Sequence, residues 1–239
     1  MRRFLAAIEF LTIVPVSTAT PPALGAPFFP IVGAMLGLAA GAIYRAAAQE
    51  LPAPIAALIA LLFLIVLTAG LHEDGLADVF DAFRAYRPPE RIHAILKDSR
   101  IGTFGALALA LALLLRWQSI EALGGRAMAG VAAAAGASRG AMVAFAFLSK
   151  PAGDGLGKTF SAGLGRPAAI AAAAQAAALP FLLGPGAGIA ALGVNVVAIL
   201  AGRAYFHRRI GGVTGDCLGA LCQISETLLL LTFACRRFT

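Results

Sequence analysis

Charged side chains are scarce in this sequence, since only 13% of its 239 residues are Asp, Glu, Lys or Arg. Soluble domains carry about 25%. The chain is also 60% hydrophobic, with a mean hydropathy of +0.86. This deficit of charge excludes an ordinary water-soluble domain. It predicts an all-α fold, a polytopic transmembrane helical bundle, because a helix satisfies its own backbone hydrogen bonds within lipid.

Cysteine and histidine are equally sparse, with three residues of each type. An odd number of cysteines without paired spacing argues against both a disulfide framework and a zinc site. The histidines share no common spacing, so we interpret them as loop or interface residues. The residues concerned are Cys217, Cys222, Cys235, His72, His93 and His207.

Acidic residues are fewer than basic ones, 12 against 19, which gives a formal net charge of +7. Basic loops beside an anionic membrane surface account for such an excess, and so does an anionic substrate such as a phosphate ester. A nucleic-acid partner is not expected, because the basic residues are spread over loops that flank apolar runs. The length predicts one integral membrane domain over residues 1–239.

Apolar runs of membrane-spanning length occupy residues 24–48, 52–71, 101–117, 126–148, 167–183, 186–202 and 218–234. They predict about seven spans. The first run contains Gly33, Gly37 and Gly41 at a spacing of four residues, and this stripe of small residues predicts close packing against another helix. Residues 1–16 are similar to a signal peptide, but Glu9 interrupts them, which favours a retained amphipathic or half-inserted N-terminal helix. With the N-terminus in the cytoplasm, thirteen of the 19 basic residues fall in cytoplasmic segments, as the positive-inside rule requires. The sequence leaves the oligomeric state open.

The most concentrated polar feature is His-Glu-Asp-Gly-Leu-Ala-Asp-Val-Phe-Asp, which begins at His72 and directly follows an apolar run. Four of the chain's 12 acidic residues lie in it, namely Glu73, Asp74, Asp78 and Asp81. On a helix, Asp74, Asp78 and Asp81 share one face, where like charges repel. A divalent cation would remove that repulsion. The pattern favours a Mg²⁺ or Mn²⁺ site formed by the four acids, and a solvated helix end is the alternative.

Further polar segments are predicted on the same side of the membrane. A plausible phosphate-binding segment precedes the third span and comprises Lys97, Asp98, Ser99, Arg100, Gly102 and Thr103, since a helix start and basic side chains attract anions. A glycine-rich loop places the basic residue Lys158 near the site for substrate binding, but the loop lacks the glycine spacing and preceding strand of a nucleotide-binding P-loop. Thr214, Gly215 and Asp216 enter the last span, and we expect them to bind substrate through a backbone anion cradle and one more carboxylate. Arg139 lies inside a span, where a charge indicates function, and we expect it to face the acidic site or an anionic group of the substrate.

Three ordered motifs resemble the cobalamin synthase family. They are the acidic segment His72–Asp81, the segment from Lys97 to Gly105, and Gly-Val-Thr-Gly-Asp-Cys-Leu-Gly-Ala from Gly212. Short matches near Phe10 and Phe29 extend the resemblance over nearly the whole chain.

The resemblance implies transfer of the adenosylcobinamide phosphate group from adenosylcobinamide-GDP to α-ribazole or its 5′-phosphate, with release of GMP. It also implies dependence on Mg²⁺ and a place in the bacterial inner membrane. The distribution of basic residues predicts that the active site faces the cytoplasm. Asp81 is the candidate general base and Asp216 its main competitor. Two alternatives are kept: a CDP-alcohol phosphotransferase-like membrane enzyme, whose Asp-Gly-x-x-Ala motif is similar, and a cation transporter.

Overall fold

The structure, a computed structural model, describes residues 1–84 and 86–238, and it confirms the all-α prediction. Over these residues the helices are α1 Arg2–Leu11, α2 Pro22–Gly25, α3 Phe29–Glu50, α4 Ala53–Leu67, α5 Leu71–Phe83, α6 Pro89–Ile95, α7 Thr103–Leu123, α8 Ala127–Leu148, α9 Leu156–Gly163, α10 Arg166–Ala178, α11 Pro185–Ile210 and α12 Gly215–Ala234.

Within the described residues, five helical segments are long and apolar enough to cross a membrane, or six if α4 and α5 together form one broken span. The seven predicted apolar runs lie mainly in helices, and the run 52–71 also contains the turn at residues 68–70. The segment Thr103–Leu148 contains two of these runs, one in α7 and one in α8. A 3-10 turn at Gly124–Arg126 separates the two helices. A polytopic bundle is therefore confirmed, and the number of seven crossings stays a prediction.

The centre of the bundle is the pair formed by α3 and α8. Gly33, Gly37 and Gly41 of α3 face α8, and a Cβ on Gly37 would lie 2.7 Å from the Cα of Ala132. A stripe of small residues lets two backbones approach closely, which is how helices associate in lipid. The glycine spacing predicted this contact. It makes α8 an almost fully buried axis on which the other helices pack.

A sharp bend separates α4 from α5, and their axes differ by 88°. The chain turns at Ala69 and Gly70, both with positive φ angles, 52° and 64°. Only glycine adopts this conformation without steric cost, so Ala69 is a strained position. The bend directs the acidic helix α5 across the bundle, where it contacts α7 and α12.

Loops on one end of the bundle are tied together by backbone hydrogen bonds. The amide of Val213 donates to the carbonyl of Lys150 at 2.9 Å, and the amide of Ala152 donates to the carbonyl of Val213 at 2.8 Å. The short helix α9 follows, and a Cβ on Gly157 would lie 2.5 Å from the backbone nitrogen of Gly215. The start of α12 is thus enclosed by the glycine-rich loop.

Candidate active site

Carboxylates from two helices meet where α5 crosses α12. A Cβ on Gly75 would lie 2.9 Å from the backbone oxygen of Asp216, so the two helices touch next to the acidic residues. Asp74 lines one cavity together with Asp216 and a second cavity together with Asp78. The structure therefore brings Asp74, Asp78 and Asp216 to one place, although Asp216 is more than 130 residues away in sequence.

Asp216 is held at the first turn of α12 by its own helix cap. The Thr214 hydroxyl accepts a hydrogen bond from the Cys217 amide at 3.4 Å and lies 3.2 Å from the Asp216 carboxylate, to which it can donate. A threonine cap satisfies one of the free amides at a helix start. The cap orients the Asp216 side chain at the start of α12.

Asp81 has a different environment from the other acids. Its Oδ2 accepts a hydrogen bond from the Gly102 amide at 2.6 Å, and its Oδ1 accepts one from the Gly105 amide at 3.0 Å. Both carboxylate oxygens therefore cap the start of α7, where free amides and the helix dipole favour a negative charge. The roles of Asp81 as metal ligand and general base stay predictions, and Gly102 contributes a backbone amide to this cap.

Two cavities border the acidic residues, and we name them cavity A and cavity B. Cavity A has a volume of about 490 Å³ and opens between α5, α9 and the start of α12. Its polar lining contains Asp74, Lys97, Asp154, Lys158, Thr214, Gly215 and Asp216. Five predicted substrate-binding residues, Lys97, Lys158, Thr214, Gly215 and Asp216, thus come together around one space.

Cavity B has a volume of about 470 Å³ and lies under the bend between α4 and α5. Its lining combines the carboxylates Asp74 and Asp78 with the hydroxyls of Thr12, Thr68 and Ser99 and with apolar side chains that include Ile101 and Leu109. Phe10, Leu71 and Asp74 line both cavities. Asp74 therefore stands at the boundary between two spaces of similar size.

Two exposed cations near the site, Arg100 and Lys158, are paired with neighbouring carboxylates. Arg100 lies 2.7 Å from Asp98 and lowers the pKa of that carboxyl to about 2, and Lys158 lies 2.7 Å from Asp154, which raises the pKa of the ammonium group. Exposed ion pairs are worth little, so either cation can exchange its carboxylate for a phosphate. Thr103, the first residue of α7, is exposed beside them.

A second polar cluster, which we name the buried network, lies deeper in the bundle. Arg116 of α7 binds Glu73 at 2.8 Å, Gln223 at 2.9 Å and Glu226 at 2.6 Å, and it is only 1% exposed. Arg139 of α8 pairs with the other oxygen of Glu226. Two arginines and two glutamates make the cluster neutral, as buried charges require.

The buried network includes two predicted site residues, Glu73 and Arg139. Glu73 pairs with Arg116, and Arg139 pairs with Glu226 and lines neither cavity. The assignments of Glu73 as a metal ligand and of Arg139 as a substrate-binding residue stay predictions. Each side chain already has a buried partner of opposite charge. Gln223 lies seven residues after Asp216, about 10 Å along α12, so one helix connects the network to the carboxylates.

Sequence reasoning missed two participants. Arg116 lies within an apolar run just as Arg139 does, so the same argument about charges in spans could have identified it. Phe10 entered the sequence analysis only as part of a short match to the family. Its stacking with Phe29 and Phe160, at centroid distances of 5.4 Å and 6.1 Å, brings α1 to the cavities.

Carboxylates alone do not form a complete metal site here. Within residues 1–84 and 86–238, no three His, Cys, Asp or Glu side chains are grouped as metal ligands would be. Mg²⁺, however, is usually bound through one or two carboxylates, with water and substrate phosphates as its other ligands. Asp74 and Asp78, one helical turn apart and beside two open cavities, fit that donor set.

Comparisons with known protein sequences show the family of this chain. A sequence model described as cobalamin-5-phosphate synthase matches residues 3–234. Proteins named adenosylcobinamide-GDP ribazoletransferase from Ralstonia nicotianae and Geotalea daltonii are 39% and 38% identical; the alignments cover 94% and 97% of this chain and 91% and 96% of theirs. The one from Escherichia coli K12 is 34% identical, over 95% of this chain and 97% of its own. No solved structure matches. With most of its length matched by the family and its relatives, the chain belongs to the cobalamin-5-phosphate synthase family.

Proposed function

We propose that this protein transfers the adenosylcobinamide phosphate group from adenosylcobinamide-GDP to α-ribazole or α-ribazole 5′-phosphate, a late step of cobalamin biosynthesis. The observation that carries the proposal is the name shared by relatives that match at least 94% of the chain at 34–39% identity. The two cavities that meet at Asp74 support it, because a transfer between two substrates needs two binding spaces beside one reacting centre.

The same observations count against the alternatives. A cation transporter would hold its carboxylates near the middle of the spans, whereas Asp74 and Asp216 lie near helix starts and line a cavity with two lysines. The names of the relatives favour ribazole transfer over a CDP-alcohol phosphotransferase.

The reaction we propose is one displacement at phosphorus. A ribose hydroxyl oxygen of the acceptor forms a bond to the phosphorus that carries the corrinoid. The bond from that phosphorus to the bridging oxygen of the diphosphate breaks, and GMP leaves with the electron pair. The hydroxyl proton passes to a carboxylate. Lys97 and Lys158 bind the phosphate oxygens, since positioning and charge stabilisation supply most of the rate in phosphoryl transfer.

We assign the metal to Asp74 and Asp78, with Mg²⁺ as the expected ion and Mn²⁺ as a substitute. When bound, the ion would neutralise charge that develops on the phosphoryl oxygens. Asp216 would hold the proton of the attacking hydroxyl, because it borders cavity A together with Asp74. Asp81 would position the segment from Lys97 to Gly105 through its two backbone hydrogen bonds.

We also propose that the site faces the cytoplasm of a bacterial inner membrane, as the distribution of basic residues indicates. Inside-out vesicles from a host that lacks its own enzyme should then release GMP from added adenosylcobinamide-GDP and α-ribazole, whereas right-side-out vesicles should not, because the anionic substrate does not cross lipid. Release confined to right-side-out vesicles would reverse the orientation. No release from either preparation, or from protein in detergent, would exclude the transferase itself.

The proton acceptor is tested by comparing Asp216→Asn with Asp81→Asn. General-base catalysis is worth about 10²–10⁴-fold, so Asp216→Asn should lower kcat by that factor with little change in either KM. Asp81→Asn should chiefly raise the KM for adenosylcobinamide-GDP, because its amide nitrogen cannot accept the Gly105 or Gly102 hydrogen bond and the segment shifts. Steady-state kinetics at saturating Mg²⁺ give both quantities. A loss of kcat in Asp81→Asn without a loss in Asp216→Asn would identify Asp81 as the general base.

A further inference from the structure

Cavities A and B share a wall but differ in charge. The lining of cavity A contains two ammonium groups, Lys97 and Lys158, beside the carboxylates Asp74, Asp154 and Asp216. The lining of cavity B contains no lysine or arginine, and its two charged groups are the carboxylates Asp74 and Asp78. Of the two cavities, only cavity A therefore offers cationic partners to an anion.

Backbone geometry increases this difference. Thr214 and Gly215, at the start of α12, line cavity A, and the backbone of Gly157 packs against Gly215. Amides at a helix start bind phosphate groups. The two lysines at the same cavity point independently to an anion. Cavity A thus has both kinds of donor that a diphosphate needs.

Cavity B offers a different kind of surface. The apolar side chains of Leu71, Ile101 and Leu109 surround it together with the ring of Phe10. That ring is held rigidly, because it stacks on Phe29 at an interplanar angle of 12°. Apolar and aromatic walls with a few hydroxyls, such as that of Ser99, are typical of pockets for small aromatic ligands, and about 470 Å³ lies within their usual size range.

We propose that cavity B binds the aromatic base of the ribazole acceptor, and that cavity A binds the diphosphate and nucleoside of adenosylcobinamide-GDP. The inference rests on the proposed function, since it assigns that reaction's two substrates to two places. Phe10 and Leu109 hold the benzimidazole ring, and the ribose points to Asp74, the residue that lines both cavities. The attacking hydroxyl and the diphosphate then meet at the shared wall.

The test changes one cavity at a time and measures the KM values for α-ribazole and for adenosylcobinamide-GDP. Leu109→Trp should raise the KM for α-ribazole about tenfold or more, because overpacking leaves no room for the base, and should leave the KM for adenosylcobinamide-GDP within about twofold. Lys158→Ala should instead raise the KM for adenosylcobinamide-GDP and leave the KM for α-ribazole nearly unchanged. A hydrogen bond from a charged donor strengthens binding about ten- to a hundredfold. The matched controls are Leu107→Trp, two residues away and 55% exposed on the same helix, and Arg166→Ala on the same end of the bundle.

Direct binding separates this inference from the reaction itself. Calorimetric titration of α-ribazole into the full-length protein in detergent should show binding that Leu109→Trp abolishes and Leu107→Trp preserves, whether or not turnover occurs. Leu109→Phe provides a milder variant if the tryptophan impairs folding. Loss of donor affinity in the Leu109 variants with unchanged α-ribazole affinity would overturn the assignment. Absence of GMP release by the wild type, with α-ribazole binding intact, would instead overturn the proposed function.

Discussion

Asp74→Asn is expected to lower turnover about 10²–10³-fold and to raise the Mg²⁺ concentration needed for half-maximal activity. The physical reason is its position, since Asp74 lines both cavities and lies one helical turn from Asp78. An amide cannot supply the anionic oxygen that a hard cation prefers, and loss of several kcal/mol of charge stabilisation corresponds to this range of rates. Initial rates of GMP release over a Mg²⁺ titration measure both effects.

Glu90→Gln is the matched control for Asp74→Asn. Glu90 is exposed on α6 and lines neither cavity, so the variant removes the same charge without affecting the site, and its rates should match the wild type. An Asp74→Asn enzyme with normal turnover and a normal Mg²⁺ requirement would exclude the assignment of the metal to Asp74 and Asp78. The solvated-helix interpretation of the acidic segment would then stand.

Arg116→Met is expected to produce the largest loss of stability. It leaves Glu73 and Glu226 with only Arg139 to balance them, so the buried network carries one uncompensated negative charge. Breaking a buried ion pair costs about 3–5 kcal/mol, which corresponds to a fall of about 6–20 °C in the unfolding midpoint for a domain of this size. Thermal unfolding in detergent, followed by tryptophan fluorescence or light scattering, measures it.

The double variant Arg116→Met with Glu73→Gln separates charge imbalance from lost packing. It removes one positive and one negative charge, so the network is neutral again, and the midpoint should recover most of the loss. Arg45→Ala, an exposed arginine on α3, serves as the control and should leave the midpoint within a few degrees. A double variant as unstable as Arg116→Met would show that the guanidinium acts through packing rather than charge.

Local features of the sequence were sufficient for the helices and for half of the site. The scarcity of charge predicted a helical membrane bundle, because a helix satisfies its own backbone hydrogen bonds in lipid. The stripe of Gly33, Gly37 and Gly41 predicted a close helix contact, and the structure shows that α8 is the partner. The spacing of Asp74 and Asp78 placed them on one face of α5, since helical periodicity is a local property.

Only the tertiary structure decided which polar groups meet. The 88° bend before α5 and the close approach of Gly75 to Asp216 bring distant carboxylates together, and no local pattern specifies how two helices cross. The acidic residues of α5 looked equivalent in the sequence, but the crossing of the helices gives them different surroundings. Glu73 pairs with Arg116, Asp81 caps α7, and Asp74 borders both cavities. A side chain's partner depends on which helix lies opposite it, and that is settled by packing the whole bundle.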